Sequence, residues 1–302
     1  MLATLATLAG LALAQQTDTT FAVQSGARLN VNNFGGEIVV RSWSENRVRV
    51  QATHSSRTRV AVSVSTMVVS VKSEGRRGPP QLVDYQITVP QWMAVNLSGT
   101  YTDIEVNGTI ANVAAETVEG DVTLNGGTGT VTLKSIEGGI TVTGAKGRVD
   151  ANSIEGEIRI TDASADIIAE TVDGDIVLQK IESASVEANS VDGDIFYEGA
   201  IRDNGRYRLA THDGDLKVAL PERVNVTVSV ASFDGEFDAS FPVQITESRK
   251  HRFSFTLGSG SARLELETFD GDIRLGRPGQ LSPGGQEPQH KPKHKGSDEP
   301  QS

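Results

Sequence analysis

Thr171-Val172-Asp173-Gly174-Asp175-Ile176-Val177-Leu178 is one of eight versions of a single phrase in this chain. The others are TVEGDVTL (117–124), SIEGGITV (135–142), SIEGEIRI (153–160), SVDGDIFY (190–197), THDGDLKV (211–218), SFDGEFDA (232–239) and TFDGDIRL (268–275). Their glycines are 18, 18, 18, 19, 21, 21 and 36 residues apart. A fixed period of this length is the mark of stacked supersecondary units. The last gap is twice 18, which predicts a coil that lost its motif or was replaced by an insertion.

Take the residue two before each Gly as a reference. Apolar residues recur five and three positions before it, and four and six after it. Over eight copies these five positions make 40 sites, and only His212 is not apolar, in a chain that is 37% hydrophobic. Two apolar residues two apart face one side of a strand. Each repeat therefore predicts two short strands with two inward side chains each. Between them the reading places a shorter side whose inward residue is the reference itself. Gly and its flanking acids supply the corner, through backbone freedom and bonds to turn amides.

An antiparallel meander is the rival geometry. It needs about sixteen strands in one sheet, beyond the roughly ten that open sheets tolerate, and leaves one apolar face bare. The prediction is an all-β parallel β-solenoid with 18–21 residues per coil. At about 4.8 Å per coil it forms a rod of roughly 45 Å.

Working outward, residues 15–100 alternate without the acid-Gly motif and predict a β-rich N-terminal cap over the first open edge. Solenoid coils are expected over 101–276. Within them Arg252–Leu257 and Ala262–Thr268, joined through Gly258–Ser261, read as a hairpin capping the far end. Residues 277–302 are rich in Pro, Gly, Gln, Lys and His and predict a disordered tail. Residues 1–14 are an apolar run ending Ala12-Leu13-Ala14 and read as a signal peptide, although no basic residue precedes Arg28. The expected location is periplasmic, cell-surface or extracellular. Net charge is −11, which argues against nucleic acid as a partner. The absence of Cys excludes disulfides and thiolate chemistry.

The acids of the motif are its one chemical feature. Fifteen of the 39 acids of the chain lie in it. Stacked one coil apart, like charges repel by roughly 1 kcal/mol per pair even in water. Asp173, Asp175, Asp192, Asp194, Asp213 and Asp215 form the densest stretch. One relief is a row of hard cations such as Ca²⁺. The other is solvation plus hydrogen bonds to corner amides, the favoured reading. No other cofactor and no catalytic residue is expected. His212 reads as a core histidine on the apolar stripe. His54, His251, His290 and His294 show no metal-ligand spacing. Trp43 and Trp92 read as packing residues of the cap rather than sugar platforms.

The motif series, the segment ITVPQWMAVNLSGTYTDIEVNGTIANVAAETVEGDVTL (87–124) and the leader together resemble the exported bacterial "putative adhesin" family of β-strand-repeat domains, over about residues 25–276. That resemblance implies surface attachment and supplies no catalytic residues. The function expected is an exported non-enzymatic module for adhesion or envelope binding, with a cell-surface or envelope polysaccharide or protein as partner. A structural scaffold and a polysaccharide-active β-helix enzyme are the alternatives. An enzyme needs clustered rather than periodic acids. The segments that break the pattern, Ile201–Arg208 and Glu247–Arg252, are basic.

Overall fold

The computed structural model describes residues 15–283, all of them strands, turns and connections, with no helix. The expected leader lies outside them, as does most of the expected tail. The chain is a parallel β-solenoid. A lone coil buries four large apolar side chains, worth about 6–12 kcal/mol in all. Ordering some eighteen residues costs at least about 1 kcal/mol each. One coil cannot stand, so coils must stack.

They stack like on like. Val113, Val131, Val149, Ile167, Val186 and Tyr207 follow one another in register on one side. Val122, Ile140, Ile158, Ile176, Ile195 and Leu216 do so on the next. All twelve are buried. A third, short side carries one small or apolar inward residue per coil, as at Ala145, Ala163 and Ile181.

That side is not where the sequence reading puts it. The reference residues Val118, Ile136, Ile154, Val172 and Val191 face solvent, 39–50% exposed. Strand alternation runs from five to three to one before the reference, so Thr117, Ser135, Ser153, Thr171 and Ser190 point inward instead, each at most 7% exposed. Their hydroxyls donate to carbonyls of the preceding coil: Ser135 to Gly120, Ser153 to Gly138 and Thr211 to Gly193, at 2.9–3.0 Å. The Ser or Thr of the phrase thus satisfies a carbonyl that the corner turns into the core. Glycine is needed there because φ is +141 to +155°, and because a methyl group would overlap the carbonyl of the equivalent residue one coil away, Thr102 at the first corner and a glycine at the others.

Coils also begin earlier than Tyr101. Arg28–Trp43 and Ala94–Asn107 run parallel along their whole lengths, with Leu29, Val31, Ile38 and Val40 in the core over Val95, Leu97, Ile104 and Val106. Val68–Gly75 and Val83–Pro90 form a third coil against the other edge of Arg28–Trp43. These coils turn without the acidic motif, at Phe34-Gly35-Gly36 and at Thr102, so the repeat does not reveal them. The cap proper is antiparallel. Thr58–Val64 covers Val68–Gly75, Arg47–His54 covers Val83–Pro90, and Gln15–Ala22 covers Arg47–His54. A two-pronged Arg49–Asp18 pair (3.0 and 2.6 Å) ties down that outermost strand and holds the Asp18 carboxyl below its usual range.

The 36-residue gap has a topological cause. Ala262–Asp270 lies between Ile195–Asp213 and Val226–Asp234, parallel to both, and Ile273–Gly276 lies between Leu216–Ala219 and Phe237–Ala239. The last coil in sequence is the penultimate coil in space. Arg252–Leu257 is therefore no hairpin partner of Ala262–Asp270. It pairs antiparallel with the outer edge of Val226–Asp234 and is itself followed by Ile245–Arg249. Arg277, where the tail was expected to start, sits 4.0 Å over the Phe241 ring.

Candidate functional site

The motif corner presents two parallel ladders to solvent. The reference residues make an apolar one, Val118 to Val191, that ends in a stack of rings. His212 lies on Phe269 (4.9 Å between centroids), Phe269 on Phe233 (4.8 Å) and Phe233 on His251 (4.5 Å). The separations match one coil each. His212 is thus exposed and stacked, not a core histidine, because its position in the phrase points outward. The rings cover each other's faces and show their edges, which suits apolar contact better than sugar stacking.

Beside this runs the acid ladder. The acid before each Gly, including Asp173, Asp192 and Asp213, is exposed, and successive ones are bridged backbone to backbone. The acids after the Gly, Glu236 apart, are engaged. Asp175 Oδ1 accepts from the Asp194 amide, Asp194 Oδ1 from that of Asp215, and Asp215 Oδ1 from that of Asp272, at 2.8–2.9 Å. Lys217 Nζ, on a side chain only 10% exposed, lies 2.8 Å from Asp194 and 3.9 Å from Asp215. Arg274 lies 2.9 Å from Asp272 and 3.5 Å from Asp215. Amides, an ammonium and a guanidinium thus relieve the repulsion between these coils. Among the described residues no three His, Asp or Glu converge to hold a metal ion.

The two basic segments singled out in the sequence meet across one hollow of about 530 Å³, between Arg208 and Glu247–Arg249. Arg208 is spent on Glu265 and Glu267 (3.9 and 3.5 Å), and Arg252 on Glu267 (3.5 Å). Trp43 and Trp92 are half-buried. Their indole N–H groups donate to Arg47 O and Asn46 Oδ1, at 2.8 and 2.9 Å. His54 is a satisfied core histidine, between Thr17 Oγ1 (3.1 Å) and Ser55 O (2.9 Å).

A second surface escaped the sequence reading. On the outer face of the N-terminal coils lies a groove of about 550 Å³. Lys72, Asn32, Ser98, Glu116 and Lys134 follow one another in register across it, beside the parallel row Ser70, Asn30, Asn96, Ala114 and Thr132. Asn30, Asn32, Asn96, Ser98 and Ala114 in the middle coils are shorter than Lys72 and Lys134 at the ends, which makes the hollow. Asn96 Nδ2 donates to Asn30 Oδ1 (3.2 Å) and Asn32 Nδ2 to Ser98 Oγ (3.0 Å). Glu116 and Lys134 also border a neighbouring hollow of about 350 Å³ on Val118, Ile136 and Ile154. Polar groove and apolar ladder are thereby continuous. The available signal was the pair of triplets Asn30-Val31-Asn32 and Asn96-Leu97-Ser98, which only the coil register brings together.

A family model described as Toastrack DUF4097 matches residues 25–276. No curated protein matches the sequence. Among solved structures, a putative adhesin from Bacteroides fragilis NCTC 9343 is 12% identical, covering 86% of this chain and 97% of its own, with a TM-score of 0.45. A putative lipid binding protein from Parabacteroides distasonis ATCC 8503 is 10% identical, covering 86% and 96%, with a TM-score of 0.47. A putative cell adhesion protein from Clostridium sporogenes ATCC 15579 is 12% identical, covering 88% and 100%, with a TM-score of 0.24.

Proposed function

This chain belongs to the Toastrack DUF4097 family, and we propose that it acts as an exported, non-enzymatic module that attaches to the cell envelope or to a cell surface. The observation that carries the reading is the joined groove and apolar ladder, which share Glu116 and Lys134 and run along the coil axis. Such a site meets an extended ligand over several coils, each contributing a little. The acids of the corner recur with the coils, and those after the Gly are committed to amides, Lys217 and Arg274. That arrangement holds a corner together rather than forming an acid–base pair at one point.

The test is co-sedimentation of the full chain with insoluble envelope polysaccharide, with the supernatant analysed for released sugars. Binding without release is expected. Release of sugars would move the reading to an enzyme, and failure to sediment would leave a scaffold.

A further inference from the structure

We propose that the groove on the N-terminal coils binds an extended β-linked glycan strand lying along the coil axis. This deepens the attachment reading above and rests on it. The groove holds unused hydrogen-bonding capacity. The Asn96–Asn30 and Asn32–Ser98 bonds fix the three amides but occupy only part of each. One donor–acceptor edge of an amide can meet two neighbouring hydroxyls at once, and each Asn carries two donors and an acceptor with two lone pairs. Among the described residues Asn30 Nδ2, Asn32 Oδ1, Asn96 Oδ1 and the Lys134 ammonium have no partner, while Lys72 is held by Glu74 at 3.0 Å.

The shape of the surface selects the class of ligand. Lys72 and Lys134 stand four coils apart, about 19 Å, so the groove spans several sugars. The rise of one sugar in an extended β-linked chain is close to the spacing of coils, so each coil meets one sugar, and alternate coils meet sugars turned the same way. Ala114 on the floor and the Val118–Ile136–Ile154 shelf at the side offer apolar contact to the C–H faces of the rings. An extended peptide adds to a sheet through free edge groups, but the strands under this groove are paired on both edges. Nucleic acid is opposed by the net charge of −11. The hollow near Arg208 lacks the property that matters here, because its Arg208 and Arg252 are already paired with Glu265 and Glu267.

The experiment titrates the full chain by calorimetry with two soluble probes, the hexamer of N-acetylglucosamine and cellohexaose. Variants are the double substitution Asn30→Ala/Asn96→Ala, Lys134→Ala, and Arg252→Ala as a control on the other hollow. Binding of at least one probe is expected. The double variant should weaken it about tenfold, the loss of two hydrogen-bonding amides, with the melting temperature and circular dichroism unchanged. The control should bind as the parent does. Preference between the probes reports whether an acetamido substituent is recognised. Two results overturn the proposal: neither probe binding while the chain still sediments with envelope polysaccharide, or the double variant binding as tightly as the parent. Loss of sedimentation itself would instead sink the attachment reading on which the proposal stands.

Discussion

Replacing Ser153 by Ala removes one hydroxyl from the middle of the rod. Ser153 Oγ donates to Gly138 O at 3.0 Å, and its residue is 5% exposed. Among the described residues that carbonyl has no other donor. The bond is part-buried, so the change leaves an acceptor that water reaches poorly, at about 1–3 kcal/mol. For a chain of this size each kcal/mol moves the melting temperature by about 2–4 °C, which gives a fall of about 2–12 °C. Ser153→Thr keeps the hydroxyl and matches Thr117 and Thr171 in equivalent positions, so it should melt within about 2 °C of the parent. Ser232→Ala is the control. Its hydroxyl makes a long bond (3.4 Å) within its own coil, to Gly235 O, at a half-exposed site, so it should cost little. Thermal unfolding followed by circular dichroism reads all three. Equal stability of Ser153→Ala and Ser153→Thr would refute the role given to the hydroxyl, and so would an equal loss at Ser232.

Gly174→Ala must place a side chain at φ +155° and against the Gly156 carbonyl, so a loss above about 3 kcal/mol is expected. A soluble variant melting within a few degrees of the parent would count against that close approach. Lys217→Met leaves Asp194 and Asp215 facing each other without the ammonium, and should destabilise by about 1–3 kcal/mol. The deficit should shrink in 1 M salt, as a repulsion does, when denaturant midpoints are compared. Burial raises Tyr85, Tyr197 and Tyr207 above the ordinary tyrosine range. The unfolded chain then loses those protons first, so the stabilisation is full below about pH 10 and falls as pH rises beyond it. Absorbance of tyrosinate should show three of the four tyrosines ionising only together with unfolding. Calcium should raise the melting temperature no more than sodium at equal ionic strength, since Asp175, Asp194 and Asp215 already receive amides. A calcium-specific rise would revive a row of cations at the corner.

The solenoid was legible because the four inward positions flanking each corner repeat through eight copies. The reference residue misled because Val, Ile and Phe suggest burial, while parity with Val113 and Ala115 assigns the inward place to Thr117. The N-terminal coils were missed since their corners, around Phe34–Gly36 and Thr102, use other chemistry. The exchanged order of the last coils leaves only an ambiguous 36-residue gap in the sequence. The groove depends on Asn30 meeting Asn96 across 66 residues of chain, a relation that no local pattern carries.

The exchange of coil order occurs at both ends. Arg28–Trp43 is held between the Val68–Pro90 coil and Ala94–Asn107, and Ala262–Gly276 between the coils ending at Ala219 and Ala239. A rod wound in simple sequence order would peel from its tips, one ladder at a time, under a pull on either terminus. Here the first and last coils are dovetailed. A pull on the N-terminal side first strips the edge strand Gln15–Ala22, and must then break two ladders at once before any inner coil is loaded. Under tension, this joinery therefore puts a double grip one step inside each end of the rod.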